Sequence, residues 1–370
     1  MSRAPARKRK PAAGRPWRAG VASAVLTIVA VAAVVVLFSL WSFFAPGPAS
    51  RDGHPTTVQL RKGAHMAEIG ADLQRAGVIR SAAIFMAAAQ VSGEGRKLKA
   101  GEYAFPSRAS LARVLQRMKL GLIVHHRITI PEGTPSKQVA EILNRADVLV
   151  GSAPTPPEGA ILPETYEVVR GETRAAVLQR MMDADDRVLS QLWAKRRPGL
   201  PYTNVEQAVV LASIVEKETA LGSERPRVAA VYLNRLKQGV RLDSDPSVIY
   251  GITKGDPLGH GLRESELKAD TPYNTYLNPG LPPTPIDNPG QASLAAVMDP
   301  PNTDEVYFVA NGTGGHAFAK SLAEHVVNVQ RWRKIEQQRT QGMAIQSAAE
   351  GLPQGPALAG APAPAPLEHR

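Results

Sequence analysis

The chain has 370 residues, 44% of them hydrophobic, with 44 Lys+Arg against 33 Asp+Glu and no cysteine. That is enough apolar material for a sizeable core in two or three domains, and it excludes a disordered chain, a disulfide framework and thiolate metal sites. Much of the formal charge of +11 sits before residue 20: removing Arg3, Arg7, Lys8, Arg9, Lys10, Arg15 and Arg18 leaves +4, too mild a balance to make nucleic acid a partner.

Residues 21–45 form 25 positions without a charge, long enough to cross a bilayer as a tilted helix. Seven basic residues and no acid precede them, so the positive-inside rule predicts that 1–20 is a cytoplasmic tail and that everything after Ala45 is exported. A cleaved signal peptide is the alternative, and its apolar core would be shorter. Residues 46–56 are rich in turn formers and read as a spacer lifting the rest off the bilayer.

A small α+β module is expected over 57–130. A strand begins at Thr57, and Met66, Ile69 and Leu73 recur at helical spacing. Ser81 can cap a second helix through Phe85, Lys99–Phe105 reads as a strand, Ser107–Met118 as a helix and Val124–Ile130 as a return strand. This order resembles a LysM-like fold, a glycan-binding module; a packing domain that merely spaces the catalytic part is the alternative.

From 131 to 338 the pattern is mainly helical with short strands. Tyr166 beside Glu164 suits stacking on a sugar, and plain packing accounts for it as well. Thr173–Arg197 forms a long helix, and Asn204–Ala220 a second one with a capping-box pattern at Asn204 and Gln207 and a stop at Gly222-Ser223. On that helix Ala208, Leu211, Ile214, Val215 and Glu218 share one face, so Glu218 ends an apolar stripe while Glu216 falls about 200° away. A carboxyl among aliphatic side chains has its charged form disfavoured, which lifts its pKa toward the range where it can hold a proton for a leaving group. A solvated helix end bearing both acids is the bland alternative.

Ser223 and Pro226 open the next helix, with Val228, Val231, Tyr232 and Leu236 on one face. Residues 241–251 and 271–276 have too much Pro and Gly for regular structure and read as polar loops carrying Asp245, Tyr250, Tyr273, Asn274 and Tyr276. After an extended Pro-rich passage come a short helix over Gln291–Met298, a strand over Glu305–Ala310, a Gly-rich turn leading to His316, and a helix from Leu322 to about Gln338. Residues 339–370 read as a disordered Ala/Pro-rich tail.

No His-Glu-x-x-His helix, Gly-x-Ser-x-Gly elbow or Walker loop is present, and His125-His126 would face opposite sides of a strand, so no metal or cofactor is expected. A carboxyl on a partly apolar helix amid Asp, Tyr, Asn and His suits glycosidic bond cleavage.

Ala212-Ser-Ile-Val-Glu-Lys-Glu-Thr219, Asn234-Arg-Leu236, Ser244-Asp-Pro-Ser-Val-Ile-Tyr-Gly251, Pro272-Tyr-Asn-Thr-Tyr276, Gly280-Leu-Pro-Pro283 and Tyr307-Phe-Val-Ala310 with His316 resemble, in one order, the endolytic murein transglycosylase family (MltG, YceG-like). The resemblance implies an α+β chain with a single N-terminal transmembrane helix, a LysM-like module over 57–130 and a mainly helical transglycosylase domain over 131–338. It implies a single-pass inner-membrane enzyme with a periplasmic catalytic domain, which cuts peptidoglycan glycan strands between N-acetylmuramic acid and N-acetylglucosamine and leaves 1,6-anhydro ends. The family's catalytic acid corresponds to Glu218, and Asp245, Tyr250, Tyr273, Asn274, Tyr276, His316 and Glu164 are the expected sugar-orienting and supporting groups. Cell-wall synthases or division proteins are further candidate partners. Thr284 stands where Gly is usual and Ser247 where Thr is common, which puts the local loop conformation in question. A lysozyme-like hydrolase and a non-catalytic murein-binding scaffold remain as alternatives.

Overall fold

The computed structural model describes residues 17–93 and 98–349, so 1–16 of the expected basic tail and 350–370 of the expected disordered tail lie outside it. The chain forms two units, Met1–Val124 and His125–Arg370.

The first unit opens with α1 (Trp17–Phe44). Its Ser23–Phe44 stretch is apolar all round, with none of its most apolar window buried against protein, which is compatible with a membrane anchor. The segment after it is not a free spacer. Gly47 N–H donates to Arg108 O (3.2 Å) and Arg108 N–H to Pro48 O (3.0 Å). A Cβ at Gly47 would sit 2.2 Å from Ala109 O, so only glycine allows this approach.

β1 (Thr56–Leu60), α2 (Met66–Arg75), α3 (Ala82–Val91), β2 (Gly101–Phe105) and α4 (Leu111–Leu120) follow. β1 and β2 pair antiparallel with Val58 opposite Tyr103. Their inward side chains meet Leu73, Phe85, Val114 and Met118 in one apolar core. Ser81 accepts Ile84 N–H (3.4 Å) as the cap of α3.

The expected return strand of this module belongs elsewhere. β3 (His126–Thr129) pairs antiparallel with β4 (Thr165–Val168), which lies beyond α5 (Ser136–Arg145). Ile128 and Ile130 there fill a core with Val139, Leu143, Ile161, Val168 and Met181. Alternation marks a strand but not its partner, and the partner is set by where those two isoleucines are buried.

The rest of the second unit is α6 (Arg174–Ala194), α7 (Val205–Glu218), α8 (Arg225–Lys237), α9 (Asp245–Thr253), α10 (Glu264–Leu267), α11 (Gln291–Met298), β5 (Tyr307–Ala310), β6 (His316–Ala319) and α12 (Leu322–Ala349). α7 is the centre. Asn204 Oδ1 accepts Gln207 N–H (2.9 Å), and Gln207 Oε1 reaches back to Thr203 N–H (3.0 Å) instead of Asn204. Every residue from Ala208 to Val215 is buried, since α8, α9 and α11 all pack on α7.

Several boundaries differ from expectation. α7 stops at Glu218, because Thr219 turns extended (φ −141°, ψ 129°) and its hydroxyl accepts Leu221 N–H (3.1 Å) before Gly222 is reached. α8 starts after Glu224, not Ser223. Residues 245–253 are a helix and not a loop, since Pro246 occupies the first turn, where no amide hydrogen is needed. His316 lies on a strand, β6, paired with β5 across the Gly-rich turn. α12 continues through 339–349, into the stretch read as disordered.

Asp185 on α6 is buried (4% exposed), and burial followed by the neighbouring Asp186 raises its pKa to about 7. The folded state therefore binds a proton more tightly than the unfolded chain. Unfolding free energy contributed by this site should fall as pH rises from about 4 to about 7. Asp185→Asn is expected to flatten that fall in urea titrations, and an unchanged slope would contradict the assignment.

Candidate functional site

α7 delivers Glu218 to the wall of a cavity of about 260 Å³, lined also by Tyr232, Arg235, Asp243, Asp245, Tyr276, Phe308, His316 and Trp332. The carboxyl is partly buried, and its Oε1 accepts from Tyr232 OH (2.6 Å) and Ser244 Oγ (2.7 Å). With both bonds on Oε1, the proton of the neutral acid belongs on Oε2, to which no described residue donates. Burial is the main influence on this group and raises its pKa; the bonds from Tyr232 and Ser244 oppose that, Asp245 adds to it and His316 opposes it. The net result is a carboxylic acid able to hold a proton above the ordinary carboxylate range.

Tyr232 comes from α8, one of the helices packed on α7, and is itself buried with its ring edge-on to Phe308 at 5.7 Å. Ser244 is placed by a short strained turn. Asp243 before it has φ +50°, uncommon for a residue with a side chain, and Arg235 Nη1 holds it through Asp243 Oδ2 (3.1 Å) and Leu242 O (2.8 Å). Ser244 N–H donates to Thr275 Oγ1 (2.9 Å), which also meets Ser247 Oγ (2.9 Å), so the two Pro-containing segments are tied together beneath the acid. Serine at 247 has room to give its own hydroxyl to Ser244 O (2.7 Å).

Of the residues expected to line the site, four meet in this cavity: Glu218, Asp245, Tyr276 and His316. Tyr276 OH donates to Asp245 Oδ1 (2.8 Å), while burial raises the Asp245 pKa against that bond. The others lie elsewhere. Asn274 is fully buried, gives its amide hydrogens to Leu267 O and Ala269 O (both 2.8 Å) and accepts Tyr276 N–H (3.0 Å), so it shapes the loop and presents nothing to a ligand. Tyr250 donates to Glu158 Oε2 (3.0 Å) and lines a second cavity of about 580 Å³ with Glu132, Lys217 and Pro246. Tyr273 packs edge-on to Tyr250 at 5.0 Å, and its hydroxyl meets Thr284 Oγ1 at 2.8 Å, a contact that a glycine at 284 could not make. Glu164 is exposed beside β4 and accepts Thr165 N–H (3.3 Å); Tyr166 gives its hydroxyl to Leu162 O (2.6 Å) and packs into the β3–β4 core.

Glu216 belongs to a different environment. Its side chain is 5% exposed, Oε1 accepts from Arg225 Nη2 (2.7 Å), and Oε2 accepts from Gly290 N–H (3.0 Å) and Ser293 Oγ (2.7 Å). No oxygen is left for chemistry.

The sequence reading overlooked Tyr232, Ser244, Glu224 and Arg235. Tyr232 carried a signal: a tyrosine within an apolar helical stripe needs a partner for its hydroxyl once buried. Ser244 stands in the sequence only as the first residue of a motif, and its contact with Glu218 depends on a turn formed by Asp243. Among the described residues no group of three or more His, Asp and Glu could hold a metal ion.

Comparison with known proteins places most of the chain in one family. The profile of the YceG-like family matches residues 58–331. The endolytic murein transglycosylase of Bacillus subtilis (strain 168) is 26% identical over 312 residues, covering 75% of this chain and 85% of that protein. The endolytic murein transglycosylase of Streptococcus pneumoniae (strain D39) is 27% identical over 322 residues, and this chain spans only 57% of its length. The crystal structure of a yceG-like protein from Listeria monocytogenes is 28% identical, with a TM-score of 0.46, covering 73% of this chain and 97% of that one. Because the family profile takes in most of the chain, including α7, α8, α9 and the β5–β6 hairpin, this protein belongs to the YceG-like family.

Proposed function

We propose that this protein is a membrane-anchored endolytic lytic transglycosylase of peptidoglycan, with Glu218 as its catalytic acid. The observation that supports this most directly is the Glu218 carboxyl: one oxygen occupied by Tyr232 and Ser244, the other open to a cavity shared with Asp245, Tyr276 and His316. Neutral Glu218 gives its Oε2 proton to the glycosidic oxygen between N-acetylmuramic acid and N-acetylglucosamine. The muramic acid C6 hydroxyl then gives its proton to a base in the cavity as it attacks its own C1, so the product ends in a 1,6-anhydro ring and no water is consumed. Tyr276 and Asp245 orient the sugar at the acid; Tyr250 and Tyr273, in and beside the second cavity, would touch only a strand extending past it.

A lysozyme-like hydrolase is the second reading, favoured by one feature: Asp245 brings another carboxyl into the same cavity. Mass spectrometry of fragments released from purified murein separates the two. Anhydro ends support the transglycosylase, reducing ends heavier by one water support the hydrolase, and intact strands that still sediment with the protein would leave a binding scaffold.

The β1–α2–α3–β2 arrangement is consistent with a LysM-like glycan-binding module that keeps strands near the site. α1 anchors the protein in the inner membrane with the N-terminus inside and the catalytic unit in the periplasm. The chain has no native cysteine, so a single introduced one reports its own side alone. Asp52→Cys should react with an impermeant maleimide in intact spheroplasts and Ala13→Cys should not; the reverse would invert the topology. Cell-wall synthases or division proteins are candidate partners at that location.

A further inference from the structure

Glu224 immediately precedes α8, yet its side chain does not cap that helix. It crosses to the β5–β6 hairpin, where one oxygen accepts His316 N–H (2.9 Å) and the other lies 2.7 Å from His316 Nδ1. Burial opposes ionisation of Glu224, but the backbone and ring bonds from His316 outweigh it and hold the carboxyl below its ordinary range. An ionised carboxylate can only accept, so Nδ1 carries a hydrogen toward Glu224, and in the neutral imidazole that leaves the lone pair on Nε2. Gly315 leaves room for this approach: a Cβ at residue 315 would lie 2.5 Å from Glu224 Oε1 and would push the carboxylate aside. Phe308, edge-on at 5.2 Å, fixes the ring further. His316 lines the Glu218 cavity.

Glu218 has one oxygen committed to Tyr232 and Ser244. A single oxygen would otherwise have to serve both the departing and the attacking oxygen of the sugar. Resting on the transglycosylase reading, we infer that His316, positioned by Glu224, is the base that takes the proton of the attacking C6 hydroxyl. In this step the C1–O4 bond breaks, its electron pair goes to O4, and O4 takes the Glu218 proton. The C6 oxygen bonds to C1 and its proton passes to His316 Nε2. The imidazolium faces the Glu224 carboxylate, and handing its proton to the Glu218 carboxylate restores both groups. His316 is thus a catalytic residue and Glu224 a positioning residue.

The full-length protein is assayed on glycan strands and on a muramyl glycoside with a nitrophenol leaving group, which departs without an acid. His316→Gln should lose about 100-fold in kcat on both substrates, a typical general-base contribution, with KM within about twofold of wild type. Glu218→Gln should be largely rescued on the nitrophenyl substrate only. Glu224→Gln should lower kcat about tenfold on both, and the ¹⁵N shifts of its His316 ring should change from the Nδ1–H form to a mixture of tautomers. Loss confined to KM, rescue of His316→Gln by the nitrophenol leaving group, or an unchanged tautomer in Glu224→Gln would overturn the inference. Wild-type protein that releases no anhydro ends would instead overturn the transglycosylase reading beneath it.

Discussion

Glu218→Gln is expected to lower strand cleavage by about 1,000-fold, within the range for removal of a general acid, while leaving the fold intact or more stable. Glutamine keeps an oxygen to accept from Tyr232 and Ser244, so neither donor is orphaned. What it loses is the transferable proton on the cavity side. The stability expectation has a definite sign. Burial raises the Glu218 pKa, so the folded state binds a proton more tightly than the unfolded chain, and stability falls as pH rises from about 4.3 toward that raised value. The amide has no such fall, so the variant should gain on wild type as pH increases. Anhydro-product yield and thermal melting at two pH values test both halves. More than a tenth of wild-type cleavage would remove Glu218 from the mechanism, and a lower melting temperature at the higher pH would refute the burial account.

Glu216→Gln should do the opposite. Removing one partner of a buried ion pair costs about 3–5 kcal/mol, because Arg225, with an 11% exposed side chain, would keep only the more exposed Glu132 as a charged partner. For a unit of this size each kcal/mol moves the midpoint by about 2–4 °C, so melting should fall by about 10 °C. Folded molecules should retain at least a tenth of wild-type cleavage when assayed well below the midpoint. Full loss of cleavage with unchanged melting would move the acid from Glu218 to Glu216. Two glutamates two positions apart on one helix thus separate into activity and stability.

The contrast also marks how far the sequence carried. Helical spacing from Ala208 to Glu218 places Glu218 and Glu216 in different surroundings, since residues two apart on a helix cannot share a face, and so favours Glu218 as the candidate acid. Spacing did not reveal that α7 is enclosed almost all round, because α11 arrives from about 80 positions away in the chain. The Asp-Pro at 245–246 read as a loop because proline usually interrupts helices, whereas in the first turn its missing hydrogen costs nothing. Asn274 read as a polar group for a sugar because composition does not distinguish an exposed amide from one fully engaged with backbone carbonyls.

By itself the sequence determined the N-terminal apolar helix and the central acid-bearing helix, and it set Glu218 apart from Glu216 as the candidate acid, all through local periodicity, charge and capping. Only the tertiary structure decided what surrounds that acid. Tyr232, Asp245 and Tyr276 line the cavity and Ser244 bonds to Glu218 because helix packing and a strained turn at Asp243 bring them there, and Glu224 meets His316 across 92 positions. It likewise decided that β3 pairs with β4 and that Asn274, Tyr250, Tyr273 and Glu164 stand away from the acid. Such contacts depend on long-range burial of apolar faces, which a one-dimensional pattern constrains without specifying.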